Sequence, residues 1–153
     1  MCINLCHIDV SLFGSESEEF LISLRYWILL DNQSTADIFC NSDLLKDIRE
    51  TNEWTTILTN GGTLKTNLKG QLEDYGLVWY HPDAITNILS LAAVIQKYPV
   101  TYSSELDNSF VVHKPEGNRK FNMVDQGLWC FDVRDKRNFA FVQTVEEIRK
   151  QYT

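Results

Sequence analysis

The longest uninterrupted apolar stretch near the N-terminal third is Tyr26-Trp27-Ile28-Leu29-Leu30, which stops at the polar turn Asp31-Asn32-Gln33-Ser34-Thr35. A short continuous run with an abrupt polar end predicts a strand covered on both faces. Asn41-Ser42-Asp43 offers an N-cap and predicts a short helix with Leu44, Leu45 and Ile48 on one face, ending before Trp54. Trp54 to Leu58 then reads as a strand leading into Asn60-Gly61-Gly62, a hairpin signal because such turns need positive φ. Further strands are predicted from Lys65 to Leu72 and from Leu77 to Tyr80, where His81-Pro82-Asp83 closes the run. Leu91, Val94, Ile95 and Tyr98 recur at helical spacing, so a helix is expected from Leu89 to Tyr98, stopped by Pro99. Val100 to Tyr102 and Ser109 to His113 read as paired strands, and Lys114-Pro115-Glu116-Gly117 as a turn. Lys120 to Val124 and Leu128 to Val133 supply the last strands. Many short strands with few helices and no internal repeat predict one mainly β domain, a barrel or a sandwich.

The ends follow a different pattern. Residues 1–24 mix apolar residues with Gly14-Ser15-Glu16-Ser17-Glu18-Glu19 and are expected to be a linker or weakly ordered arm. Near the C-terminus, Thr144-Val145-Glu146-Glu147 forms a capping box that opens a charged helix.

Composition narrows the function. A chain of 153 residues with 44% hydrophobic content is enough for one domain with its own core. The net charge of −7 opposes a nucleic-acid surface, which needs clustered Lys and Arg. Cys2, Cys6, Cys40 and Cys130 are sparse and irregular, as in reduced intracellular proteins. Cys2, Cys6 and His7 lack a fourth ligand at zinc-site spacing, so no metal is expected, and no cofactor motif is present. No basic region precedes the first apolar residues, Asp9 interrupts them, and nothing reaches the roughly 20 apolar residues of a membrane span. A soluble, intracellular protein without a membrane partner is the expectation.

Asp31 is the candidate for chemistry, as a carboxylate just past a buried strand in a turn rich in hydrogen-bonding residues. Taken alone, an aspartate there is more often a turn residue. Trp27-Ile28-Leu29-Leu30-Asp31-Asn32-Gln33-Ser34-Thr35 resembles the W-x-L-D-S-G-A-S stretch of copia-type LTR retrotransposon proteases, which are retropepsin-like aspartic proteases. Ile85-Thr86-Asn87-Ile88-Leu89-Ser90-Leu91 is similar to their N-L-L-S-V element, the counterpart of the N-I-I-G stretch before the retropepsin helix. Tyr75-Gly76-Leu77-Val78-Trp79-Tyr80-His81-Pro82-Asp83 stands where those proteins carry a strand and a proline, and Gly127-Leu128-Trp129 resembles the G-L-Y that marks passage toward the pre-integrase region. The resemblance covers residues 26–133 and keeps the family's order.

It implies a retropepsin-like closed β-barrel half with one or two short helices, residues 25–134, acting as a homodimer. Asp31 is then the catalytic carboxylate, Asn32, Gln33, Ser34 and Thr35 form the active-site turn, and Asn87, Ile88, Leu89 and Ser90 support it from beneath. The hairpin at Asn60, Gly61 and Gly62 is the candidate flap over a peptide or polyprotein substrate. The partners implied are a second copy of the chain and that peptide; His81 and His113 are read as surface or strand histidines rather than catalysts. Residues 135–153 resemble the start of the linker toward the integrase region, which implies a longer polyprotein located in the cytoplasm or within virus-like particles.

Asn32 and Gln33 occupy the places where the family has a hydroxyl residue and a glycine. Ser34 or Thr35 would supply the hydroxyl if the turn shifts by a residue or two. Two alternatives therefore stand beside the endopeptidase: a catalytically degenerate domain of the same fold that dimerises or binds peptide without cutting, and an unrelated small β-barrel binding protein.

Overall fold

The computed structural model describes residues 2–5, 17–59 and 62–135. Its organising element is β2 (Trp27–Asp31), whose Ile28, Leu29 and Leu30 are all buried. Consecutive residues of a strand face opposite sides, so burial of all three requires cover on both faces. β2 lies between two other strands. β7 (Asn87–Ser90) pairs with it in parallel, placing Asp31 opposite Ser90, and β11 (Trp129–Asp132) pairs antiparallel, placing Cys130 opposite Leu29.

On the β7 side the sheet continues through β3 (Ile38–Phe39) and β6 (Gly76–Tyr80) to the long hairpin of β5 (Gly62–Leu72) and β4 (Leu45–Thr59), with β1 (Cys2–Leu5) parallel to β4. On the β11 side it continues through β10 (Arg119–Met123), β9 (Ser109–Val112) and β8 (Val100–Ser103), an antiparallel meander. The fold is mainly β, with eleven strands among the described residues. Among the described residues the sheet is open: β1 and β8 end the series and each pairs on one side only, so the expected closed barrel half is not what these strands form.

Alternation along the strands sorts the apolar residues into two layers. Ile28, Leu30, Phe39, Leu89, Val94 and Phe121 belong to the larger one. Leu29, Ile38, Ile57, Ile88 and Cys130 form the smaller one on the other face. The helix α2 (Leu91–Lys97) packs Val94 into the larger layer, while Ile95, read as one of its apolar positions, is exposed.

Three local expectations are corrected. The segment expected to be helical from Leu89 is strand through Ser90, because Asn87 to Leu89 pair with β2 and Ile88 also meets Ile38 of β3; Ser90 then caps α2, its hydroxyl accepting from the Ala93 amide. Asn41 does act as an N-cap, but it opens only a 3-10 turn, Ser42–Leu44, since Leu45 is drawn into β4 opposite Leu72. The acidic stretch read as linker contains the start of the helix α1 (Ser17–Leu24), with Glu18 and Glu19 in its first turn, where the helix dipole favours them. Phe20 meets Trp27 edge-on at 5.5 Å and Leu24 is fully buried, so α1 belongs to the domain. The capping box at residues 144–147, and Cys6 and His7, lie outside the described residues.

Asn87 holds this arrangement together. Its Oδ1 accepts from the amides of Cys40 and Asn41, both at 3.0 Å, and its Nδ2 donates to the carbonyls of Arg25 at 2.8 Å and Trp27 at 3.0 Å. One side chain thus ties the entry of β2 to the exit of β3. Among the described residues no helix is long and apolar enough to cross a membrane.

Candidate active site

Asp31 is the last residue of β2 and is half-buried, with its Oδ1 accepting from the backbone amide of Gln33 at 2.8 Å. This closes a tight turn in which the carboxylate is oriented by main chain rather than by a neighbouring side chain. Asn32 and Gln33 are exposed. Gln33 is absent from the described non-glycine residues with positive φ, which are Asp47, Asp74 and Asn108. The turn therefore places no left-handed demand at Gln33, and an L-residue enters it without backbone strain.

Ser34 is buried, and its hydroxyl donates to the Ala36 carbonyl at 2.8 Å. Its own carbonyl accepts from the Ser90 hydroxyl at 2.8 Å, so the turn is bonded to the start of α2. Thr35 is exposed.

The turn ends on Asp37, which pattern reading missed. Asp37 Oδ1 accepts from the Ser90 amide at 2.8 Å and Oδ2 accepts from the Tyr75 hydroxyl at 2.7 Å. Burial raises its carboxyl above the ordinary range, against the opposing pull of the Tyr75 hydroxyl, the Ser90 amide and the Lys97 charge. Burial and the Asp37 charge together raise Tyr75 strongly. Lys97 Nζ sits 3.8 Å from the centre of the Tyr75 ring and donates to the Tyr75 carbonyl at 3.0 Å.

A cavity of about 290 Å³ opens beside the carboxylate, bordered by Asp31, Asn32 and Gln33 on one side and by Gly127, Leu128 and Trp129 on the other. Gly127-Leu128-Trp129, expected to mark an exit toward the next region, is thus a neighbour of Asp31 because β11 runs alongside β2. Trp129 is held in place: its Nε1 donates to the Asn108 carbonyl at 3.1 Å and its ring meets Phe110 edge-on at 5.3 Å.

A second cavity, of about 190 Å³, lies between the far end of the hairpin and the segment before β7, with Ile38, Ile57, Leu64 and Ile88 as apolar walls and Thr59 and Gly62 at the hairpin end. Leu29 borders the first cavity, Ile88 the second, and the two are direct cross-strand partners, so the cavities flank one apolar pair of the smaller layer. Of the candidate flap residues, Asn60 and Gly61 lie outside the described residues, and Gly62 opens β5 at φ 132°, a value that favours glycine. Of the candidate supporting residues, Asn87 and Ser90 bond to the segments around the site, Ile88 faces the second cavity, and Leu89 faces the larger core.

The histidines lie elsewhere. His81 Nδ1 accepts from the Asp83 amide at 3.0 Å, and His113 Nε2 bonds Thr101 Oγ1 at 2.8 Å. No group of three His, Cys, Asp or Glu among the described residues could hold a metal ion. The Cys130 thiol is pushed up to about 12, mainly by burial, which suppresses thiolate chemistry there. Comparison of the chain with family models, curated proteins and solved structures gives no match, so the site is interpreted from its own geometry.

Proposed function

We propose that the chain is one half of an aspartic endopeptidase of the copia-type, retropepsin-like kind, completed by a second copy. The observation that carries this reading is the carboxylate of Asp31 at the end of the buried strand β2, oriented by the Gln33 amide and opening on a cavity large enough for a substrate side chain. Two such carboxylates facing one another across a two-fold axis cannot both ionise, as in the aspartic proteases from which this rule is drawn. They share one proton: the ionised group takes a proton from the attacking water, and the protonated one polarises the scissile carbonyl. The reaction is hydrolysis of a peptide bond, with no metal or cofactor in the scheme. Its substrate is a peptide segment, including a polyprotein that contains the chain. The β4–β5 hairpin is the element suited to cover the substrate, since it reaches the second cavity and carries few buried residues.

A specific feature favours a second reading. Asn32 has no hydroxyl, and the nearest one in the turn, on Ser34, is buried and bonded to Ala36. A site without that hydroxyl at the dimer axis is suited to dimerise or hold a peptide without cutting it.

The test is cleavage of a mixed peptide library from acidic to neutral pH, at chain concentrations spanning dimer formation, beside Asp31→Asn. Turnover that rises with dimer fraction and vanishes in the variant is the expected result. A demonstrated dimer that cleaves nothing assigns the domain to the non-catalytic reading.

A further inference from the structure

Asp37 is a half-buried carboxylate that the proposed chemistry does not use. Both of its oxygens are engaged, and each by a different part of the chain: Oδ1 by the Ser90 amide at the entry to α2, 53 residues away, and Oδ2 by the Tyr75 hydroxyl in the turn between β5 and β6, 38 residues away. Tyr75 lies three residues beyond the end of β5, the second strand of the long hairpin, and its amide donates to the carbonyl of Leu72, the last residue of that strand. Asp37 is itself the end of the turn that begins at Asp31.

A neutral residue would hold this place at less cost. Burial disfavours the ionised form of Asp37, whereas an asparagine could still accept from Ser90 and meet the Tyr75 hydroxyl. The groups facing the carboxylate are the Ser90 amide and Lys97 from the β7–α2 side and Tyr75 from the β5–β6 turn, with Tyr98 next to Tyr75. Lys97 is engaged by the Tyr75 ring and carbonyl, so the cation reinforces the tyrosine rather than closing on the carboxylate.

We propose that Asp37 is a positioning residue that locks the Asp31 turn to the foot of the β4–β5 hairpin and to the start of α2. Removing the side chain loosens the turn at the end opposite Asp31, where the Asp37 carbonyl keeps only its backbone bond from the Trp79 amide, at 3.1 Å, and the Ser90–Ser34 bond is left as a tie to α2. Because the Gln33 amide orients Asp31 and lies between the two ends, a loosened turn misdirects the carboxylate. The catalytic part of this inference rests on the protease reading; the positional part does not.

The experiment measures the full chain with Asp37→Ala, Asp37→Asn and Tyr75→Phe by amide hydrogen exchange at Gln33, together with kcat and KM on a cleaved peptide. The expected result is exchange at Gln33 about tenfold faster in Asp37→Ala and Tyr75→Phe. Asp37→Asn stays near the parent, since it keeps an acceptor for Ser90. In a chain that cleaves peptide, kcat falls by about ten- to a hundredfold in Asp37→Ala at nearly constant KM, as small misplacement of a reacting group does. Unchanged Gln33 exchange in the folded variants, or a change confined to KM, overturns the proposal. If Asp37→Ala does not fold, Tyr75→Phe, which removes one hydroxyl, decides by the same readouts. If the parent chain cleaves nothing, the protease reading fails and Gln33 exchange alone still tests the role of Asp37.

Discussion

All four residues of β7 are buried, whereas of the fifteen residues of β4 only Leu45, Thr55 and Ile57 are. β7 has strands on both sides and its one amide side chain, on Asn87, makes four hydrogen bonds to backbone. β4 is bulged twice in its pairing with β5, between Lys46 and Arg49 and between Glu50 and Thr55, and it carries Trp54 61% exposed. The two regions sit in one sheet but have different amounts of structure to lose when they move. A segment with few buried contacts opens at low cost, while one bonded on every side opens only with the whole domain. Asp31 is attached to the second kind, so the position of the carboxylate is set by the core, and the hairpin is the part that opens at the lower cost.

The largest expected effect comes from breaking the rigid side. Asn87→Ala leaves the amides of Cys40 and Asn41 and the carbonyls of Arg25 and Trp27 without their buried partner and should lower unfolding free energy by about 3–5 kcal/mol, measured by urea denaturation. A loss of under about 1 kcal/mol would mean that water replaces the side chain and that the segment is not rigid in the sense argued here.

A smaller effect tests the junction between the two regions. The Asp37 carboxyl is raised by burial in the folded chain, so its contribution to stability is complete below the ordinary value of 3.8 and is lost as pH rises through the raised one. Asp37→Asn removes that dependence. Thermal melts across about pH 4 to 7 should show the parent losing stability relative to the variant as pH rises; parallel curves would contradict the burial of the charge.

The smallest effect is expected on the open arm. Trp54→Ser should change stability by no more than about 0.5 kcal/mol, because the ring is mostly solvated already. A larger loss in the same urea measurement would show that the hairpin is packed more firmly than its exposure indicates.

Much of the fold is legible in the chain. The apolar run at 26–30, the strand-like segments from 54 to 80 and the four strands after Pro99 all correspond to observed strands, because period-2 alternation and turn residues act locally. The misses arise where a local signal was weighed without its distant partner. Leu89 and Ser90 carry a helical pattern, yet pairing with β2 makes them strand. Asn41 signals a helix start, but a cap does not encode how far the helix runs, and β5 claimed Leu45. At the site, Asp31 was legible from the buried run before it. Asp37, followed by Ile38 and Phe39, reads as an ordinary residue at the edge of a short strand, and its partners at 75 and 90 lie too far along the chain for any spacing rule to join them.

By itself the sequence determined a mainly β domain, the strand that ends at Asp31, the hairpin arm and a net charge of −7, because periodicity, turn chemistry and charge are carried by the residues themselves. Only the tertiary structure decided that the sheet is open, that Gly127-Leu128-Trp129 borders the Asp31 cavity and that Asp37 joins the turn, the hairpin foot and α2. Those outcomes depend on which strands lie side by side, and strand order is settled by burying both faces of β2 at once, a requirement no local segment carries alone.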